Sequence, residues 1–387
     1  MSSKVLLLAS VASMIDQFNM SNIHILQKLG CEVHVAANFI SGNTCSENRL
    51  KIFKKELLDI NVIVHNILFP RKIGSIKENY SAYKQVIELL RNNDFSLIHL
   101  HSPIGGVIGR LAIKKLNKKK ITTIYTAHGF HFFKGAPLSS WIFYPIEFFL
   151  SIYTDVLITI NKEDFKRACR FYARSIKYIP GVGVDTNKYK NTIIDKIKKR
   201  KELGIPQNSF IVLSVGELSK RKNHEVIIKA ISLIENKNIH YLICGKGNEE
   251  KYLKRLAEQL GLIDRIHFLG FRSDINEIVK LTDCFAFPSK REGLGIAAIE
   301  AMSVGLPIIT SNINGILDYS ENEKTGYTCS PLDIKGFASA ISQLCTHPEL
   351  SIKMRSYNIE VAKKFDIYKV NEKMEKIYKE ALNLENS

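Results

Sequence analysis

CFAFPSKREGLGIAAIEAMSVGLP, Cys284–Pro307, is the stretch whose reading decides the fold. Its first four residues form an apolar run of the length of a fully buried strand. Pro288 stops the run, and a turn carrying Gly293 and Gly295 follows. From Gly295 to Val304, small and apolar residues continue as a helix. Strand, glycine turn and helix in that order are half of a βαβ unit, the building block of a parallel sheet covered by helices. The start of such a helix has backbone N–H groups without intrahelical partners, at the positive end of the helix dipole. That corner suits a phosphate. Glu292 lies in the turn and Glu300 eight residues later on the helix. At about 1.5 Å per residue they are at most ~12 Å apart along an axis. Carboxylates accept hydrogen bonds from hydroxyl pairs, so the two could bracket a nucleotide sugar. On spacing alone, a surface helix with two solvated glutamates fits as well.

The same alternation extends in both directions. Strands are expected at Phe210–Val215, His240–Cys244, Ile266–Leu269, Cys284–Phe287, Pro307–Thr310 and Gly326–Cys329, with helices at Asn223–Glu235, Glu249–Gly261, Ile275–Leu281 and Gly295–Val304. Upstream, strands are expected at Val5–Ala9, Glu32–Ala36, Val62–Ile67, Leu97–His101, Thr122–Thr126, Val156–Ile160 and Ile176–Ile179, with helical patterns at Tyr80–Arg91 and Gly106–Asn117. The turn-rich PGVGVDT, Pro180–Thr186, closes the first series, and the charged segment Lys188–Lys201 leads into the second. A charged helical tail runs from about Ser351 to Leu384. The fold class is therefore α/β: two Rossmann-like, doubly wound domains facing a central cleft, residues 1–185 and 186–364. A C-terminal helix, about 365–387, is free to pack back on the first. Ligands of such sheets bind outside the carboxyl ends of the strands.

Composition agrees with this and excludes other classes. A chain of 387 residues is comfortable for two cores, and 45% hydrophobic with 24% charged residues is a globular balance. Seven scattered cysteines without a C-x-x-C pair argue against a disulfide framework or a zinc site and fit a reducing compartment. The run Val5–Ala9 is too short for a signal peptide. Trp141–Ile160 is the most apolar stretch, but Pro145, Glu147 and Asp155 interrupt it, so no membrane span is expected. The formal charge of +17 is concentrated early: 24 Lys and Arg against 13 Asp and Glu up to Asp185, then 31 against 25. Nucleic acid, an anionic membrane surface or a polyanionic substrate would each match it, as would a coding bias towards lysine. No nucleic-acid recognition module or interleaved aromatic and basic surface is visible, and no D-x-D-like metal motif stands out.

EGLGIAAIEAMSVGLPII (Glu292–Ile309) resembles the signature of glycosyltransferase family four, retaining enzymes with the GT-B fold. VLSVGELSKRKNH (Val212–His224) resembles the family's first strand and phosphate loop in the second domain. YLICGKGNEEKYLKRLAEQLGL (Tyr241–Leu262) and IHFLGFRSDINEIVKLTDCFAFPS (Ile266–Ser289) resemble the next two units. YTAHGFHFFKG (Tyr125–Gly135) resembles the acceptor-domain histidine loop of bacterial capsule and exopolysaccharide members. The resemblance implies a hexosyltransferase, for which the absent D-x-D-like motif together with the basic cluster Lys220–Lys222 makes metal independence, without cofactor, the expectation. It would move a hexose or N-acetylhexosamine from a nucleotide diphosphate sugar, with UDP as the expected nucleotide, to a lipid-linked cell-surface polysaccharide. The cysteine pattern, the early positive excess and the interrupted aromatic stretch fit a cytoplasmic protein, with a peripheral place on the inner face of the membrane as one reading, and the missing recognition module argues against a nucleic-acid partner. A sugar-nucleotide 2-epimerase of the same architecture and a basic nucleic-acid-binding protein are the alternatives.

Carried onto this chain, Glu292 would bind hydroxyls of the transferred sugar, with amides from Gly293, Leu294 and Gly295 beside it. Glu300 would hold the ribose, Lys222 would neutralise the phosphates next to Gly216, and Phe271 would line the base pocket through its backbone. His128 would sit beside the reacting sugar; His101 and His131, its neighbours in sequence logic, are lesser candidates, since a lone histidine is more often structural. The chain departs from the pattern twice. Glu217 stands where many members carry arginine, so the second phosphate cation falls to Arg221 or Lys220, or Lys222 works alone. SVASMIDQF (Ser10–Phe18) replaces the usual Gly-Gly pair in a loop expected to touch acceptor or diphosphate. The aromatic runs Phe130–Phe133 and Trp141–Phe149 read as core or interdomain packing, with membrane contact beside Lys134 as the competing reading.

Overall fold

The computed structural model describes residues 2–70, 75–117 and 121–384. The chain divides into two compact units, residues 1–182 with 368–387, and residues 183–367. In the first, seven strands are introduced in chain order: β1 (Lys4–Val11), β2 (Glu32–Asn38), β3 (Ile63–Asn66), β4 (Leu97–His101), β5 (Thr122–Ala127), β6 (Val156–Thr159) and β7 (Ser175–Tyr178). They form one sheet of order β3-β2-β1-β4-β5-β6-β7, parallel at every pairing. The physical cause is in the strands themselves. β1 and β4 are almost wholly buried on both faces, as parallel strands under helices must be. β3 is short and partly exposed at the edge.

The second unit carries β8 (Phe210–Val215), β9 (Ile239–Cys244), β10 (Ile266–Gly270), β11 (Cys284–Phe287), β12 (Ile308–Ser311) and β13 (Gly326–Cys329). Their order is β10-β9-β8-β11-β12-β13, again all parallel. In each sheet the order reverses once, between β1 and β4 and between β8 and β11. Loops leaving those paired strands diverge and open a crevice at their carboxyl ends.

Several expectations shift in detail. The segment Ser10–Phe18 is not a loop: β1 continues to Val11, and Ala12–Phe18 is helical, because Ala12 and Ile15 are buried. The helix expected from Asn223 begins at His224, since Asn223 is left-handed with φ 58°. Its amide is committed to Pro288 O at 3.0 Å and Pro331 O at 2.7 Å. The segment Lys188–Lys201 folds as two short helices, Thr186–Asn191 and Lys196–Glu202, capped by Asp185 and Asp195. The charged tail is two helices, Pro348–Ala362 and Ile367–Leu382, separated at Asp366. The latter packs on the first unit through Tyr378, whose hydroxyl lies 2.7 Å from His99 Nδ1, and through Lys177–Glu380 at 3.0 Å. Residues 385–387 of the expected C-terminal helix lie outside the described residues. Among those described, no helix is long and apolar enough to cross a membrane.

Candidate functional site

Two loops meet at the reversal point of the second sheet. One follows β8 and carries Gly216 to Asn223; the other follows β11 and carries Pro288 to Gly295. Lys290 N donates to Arg221 O at 2.8 Å, which joins them through the backbone. Glycine is required where the second loop enters the helix Ile296–Ser303. Gly295 has φ 91°, and a Cβ there would lie 2.4 Å from Phe287 Cε1. No side chain caps this helix, so its first turn keeps its polar N–H end available.

The carboxylate of Glu292 is the focus of both loops. Its Oε1 receives Lys222 Nζ at 2.6 Å, Arg221 Nη1 at 2.7 Å and Ser289 Oγ at 3.1 Å. Lys222 is 13% exposed, and its ammonium also sits 4.5 Å above the Phe287 ring. Burial pulls the Lys222 ammonium below its ordinary pKa. Burial alone would push Glu292 up, but Lys222 and Arg221 beside it hold it below the ordinary carboxylate range. The result is an ion cluster with two cations on one carboxylate, a local positive excess next to the helix start. Of the two candidates for the second cation, Arg221 joins this cluster. Lys220 and Glu217 are both exposed.

Glu300 lies one turn inside the same helix. Burial raises its pKa, and a hydrogen bond from Tyr189 opposes the rise. Tyr189 is buried on the helix Thr186–Asn191. Sequence reasoning missed it, because it reads as one more residue of a charged connecting segment. Phe271 follows β10 and is 77% exposed, and the next residue, Arg272, is held by Asp274 at 2.7 Å.

In the first unit, His128 follows β5. Its Nε2 lies 3.1 Å from His101 Nδ1 at the end of β4, and its ring packs 5.9 Å from Phe18. Burial lowers the His128 pKa to about 4 and that of His101 well below its ordinary value. Both rings are therefore neutral at pH 7. The loop after His128 is pinned by Asp164, whose Oδ2 accepts from Phe130 N at 2.9 Å. His131 sits elsewhere, its ring 5.0 Å from Phe143. The aromatic runs split: Phe130, Phe132 and Phe133 are buried, Trp141, Tyr144 and Phe148 pack against the core, and Ile142 and Phe149 are exposed.

Residues 23–188 match the family model described as Glycosyltransferase Family 4, and residues 195–361 match Glycosyl transferases group 1. The putative glycosyltransferase EpsD of Bacillus subtilis is 32% identical over 392 residues, covering 100% of this chain and 98% of that one. UDP-Gal:alpha-D-GlcNAc-diphosphoundecaprenol alpha-1,3-galactosyltransferase of Escherichia coli is 32% identical over 320 residues, 80% of this chain and 81% of its own. HepE of Anabaena, whose crystal structure was determined with UDP and glucose, superimposes with a TM-score of 0.79. It covers 98% of this chain and 100% of its own, and at 21% identity the likeness is one of fold.

Proposed function

This chain belongs to glycosyltransferase family 4 and has the GT-B fold, and on that footing we propose that it transfers a hexosyl or N-acetylhexosaminyl group from a UDP-sugar, with retention, to a lipid-diphosphate-linked glycan in exopolysaccharide or capsule assembly. The observation that carries the donor half is the meeting of Lys222 and Arg221 on Glu292 beside the uncapped helix start at Gly295. Cleavage of the donor leaves charge on UDP. Fixed cations and helix amides stabilise charge where it develops, without reorganisation at the moment of reaction. In this reading Glu292 accepts hydrogen bonds from hydroxyls of the transferred sugar. Gly216 lets the phosphates approach Lys222, Leu294 and its glycine neighbours contribute amides, and the Phe271 backbone borders the base. Glu300, already held by Tyr189, takes the ribose hydroxyls.

His128 is neutral, so its role is to present an N–H or a lone pair to the sugar rather than a charge. Retention follows from attack on the face that the leaving group vacates, with a donor phosphate oxygen taking the acceptor's proton. That scheme needs no carboxylate nucleophile, unlike the two-carboxylate route of glycosidases. The acceptor half draws support from the diphosphoundecaprenol-linked substrate named for the E. coli relative.

The test is transfer from radiolabelled UDP-hexoses and UDP-N-acetylhexosamines to polyprenyl-diphosphate-linked sugars, with and without EDTA. Acceptor-dependent labelling that survives the chelator is expected. Isomerised nucleotide sugar in the absence of any acceptor would replace the transferase reading with an epimerase. Activity abolished by EDTA and restored by manganese would overturn metal independence.

A further inference from the structure

The helix Pro103–Leu116 is apolar on two sides, as its sequence PIGGVIGRLAIKKL shows. One side packs on the sheet at glycine contact distance. A Cβ on Gly106 would lie 2.6 Å from Tyr125 Cε2, and one on Gly109 would lie 2.4 Å from Leu100 Cδ2. The other side presents Ile104, Val107 and Leu111, spaced for one helix face, to an open groove of about 830 Å³. Tyr80 and Tyr83 form one wall, and Phe143 and Ile146 the other. An apolar helix face ordinarily packs on a core; here Leu111 is 37% exposed. The groove's volume is within the roughly 300–1,000 Å³ of small-molecule sites.

The charges of the groove are arranged in one direction. Glu147, the single acid among the described lining residues, is buried and used up: Oε2 accepts from Arg110 Nη2 at 2.8 Å and Oε1 from Tyr125 OH at 3.1 Å. Lys114 and Lys115 line the far end, in the helix's last turn. The near end starts at Pro103, two residues after His101, which touches His128. From Ile104 to Lys115 the groove follows the helix for ~16 Å. We propose that this groove seats the isoprenoid chain of the acceptor's carrier lipid. The glycan end would lie beside the histidines, and the chain would leave for the bilayer where Lys114 and Lys115 meet anionic headgroups. This rests on the acceptor reading given above. A bilayer phospholipid would run the opposite way, its head at the lysines and its tail against the sugar site, so the carrier lipid is the occupant to which the polarity points.

The experiment measures binding of farnesyl monophosphate to the full chain by calorimetry, with inorganic phosphate as comparison and UDP binding measured in parallel. Farnesyl monophosphate should bind where inorganic phosphate does not. Val107→Asp and Leu111→Asp should weaken it at least tenfold, with UDP affinity and melting temperature retained as evidence of folding. Phe149→Ser, which removes an exposed ring outside the groove, should leave it unchanged. Equal affinity of the groove variants and the native chain overturns the proposal. So does failure to bind farnesyl monophosphate while phosphatidylglycerol vesicles still capture native and variant proteins alike, since that would be bilayer contact elsewhere on the surface. If the farnesyl probe does not bind but UDP does and transfer proceeds, the groove assignment alone fails. If UDP does not bind, the UDP-donor reading fails, while the groove assignment is decided by the farnesyl probe and the groove variants.

Discussion

Replacing Lys222 by Met separates what the ion cluster does for folding from what it does for the donor. The substitution keeps the aliphatic path over the Phe287 ring and deletes the ammonium 2.6 Å from Glu292. Leaving a buried carboxylate with no partner would cost about 3–5 kcal/mol. Glu292 keeps Arg221 at 2.7 Å and Ser289 at 3.1 Å, so the loss is closer to one charged hydrogen bond, about 1.5–3 kcal/mol. For a domain of this size that lowers the melting temperature by roughly 5–10 °C. On the donor side, one fixed cation disappears from beside the developing diphosphate charge. Removal of a preorganised stabilising group costs about 10²–10³ in kcat. UDP affinity should fall as well, about 10-fold or somewhat more, the loss of one charged hydrogen bond to the diphosphate. Calorimetry with UDP and steady-state transfer on the folded variant give both numbers. If the variant binds UDP as tightly as the native chain and its kcat/KM is within twofold, Lys222 is a structural counter-ion of Glu292 and the assignment of the phosphate site is wrong.

Three further outcomes follow from the same geometry. Glu300→Ala should weaken UDP about 10–100-fold through loss of charged hydrogen bonds to the ribose, whereas Tyr189→Phe should weaken it only a few-fold; calorimetry giving native affinity for Glu300→Ala would remove the ribose role. His128 has a folded pKa of about 4 against an ordinary 6.5, so its neutral form favours the fold above pH 6.5 and that advantage is lost as pH falls towards 4, by up to about 3 kcal/mol. His128→Gln should flatten that part of the stability profile, and denaturant midpoints at pH 7 and pH 5 with the same spacing as in the native chain would refute it. The native chain should float with anionic liposomes at low salt and less so at high salt, since each well-placed Lys or Arg adds about 1 kcal/mol and is screened, while exposed Ile142 and Phe149 supply a part that salt does not remove. Protein that stays at the bottom of the gradient at low salt would refute membrane contact and leave the transferase assignment standing.

The apolar runs of the strands, the glycine turns behind them and the placement of Glu292 and Glu300 on either side of a helix start are local patterns, and the sequence alone determined them. β11, Cys284–Phe287, lies where its run of apolar residues puts it, because a strand buried on both faces can tolerate little else. Departures came where a distant partner overrode local preference. Asn223 leaves the helix pattern because carbonyls of Pro288 and Pro331 claim its amide. Arg221, rather than Lys220, reaches Glu292 across 71 residues of chain. His101 meets His128, and Tyr189 meets Glu300, through strand order and helix packing that no periodicity encodes. The helix Pro103–Leu116 shows the limit from the other side. Its sequence carries both a glycine face and an apolar Ile104–Leu111 face, and only the packing of its neighbours decided that the first would meet the sheet and the second would line a groove. A side chain's chemistry is written in one position, but its surroundings are set by contacts between residues far apart in the chain, and those exist only once the sheets have formed.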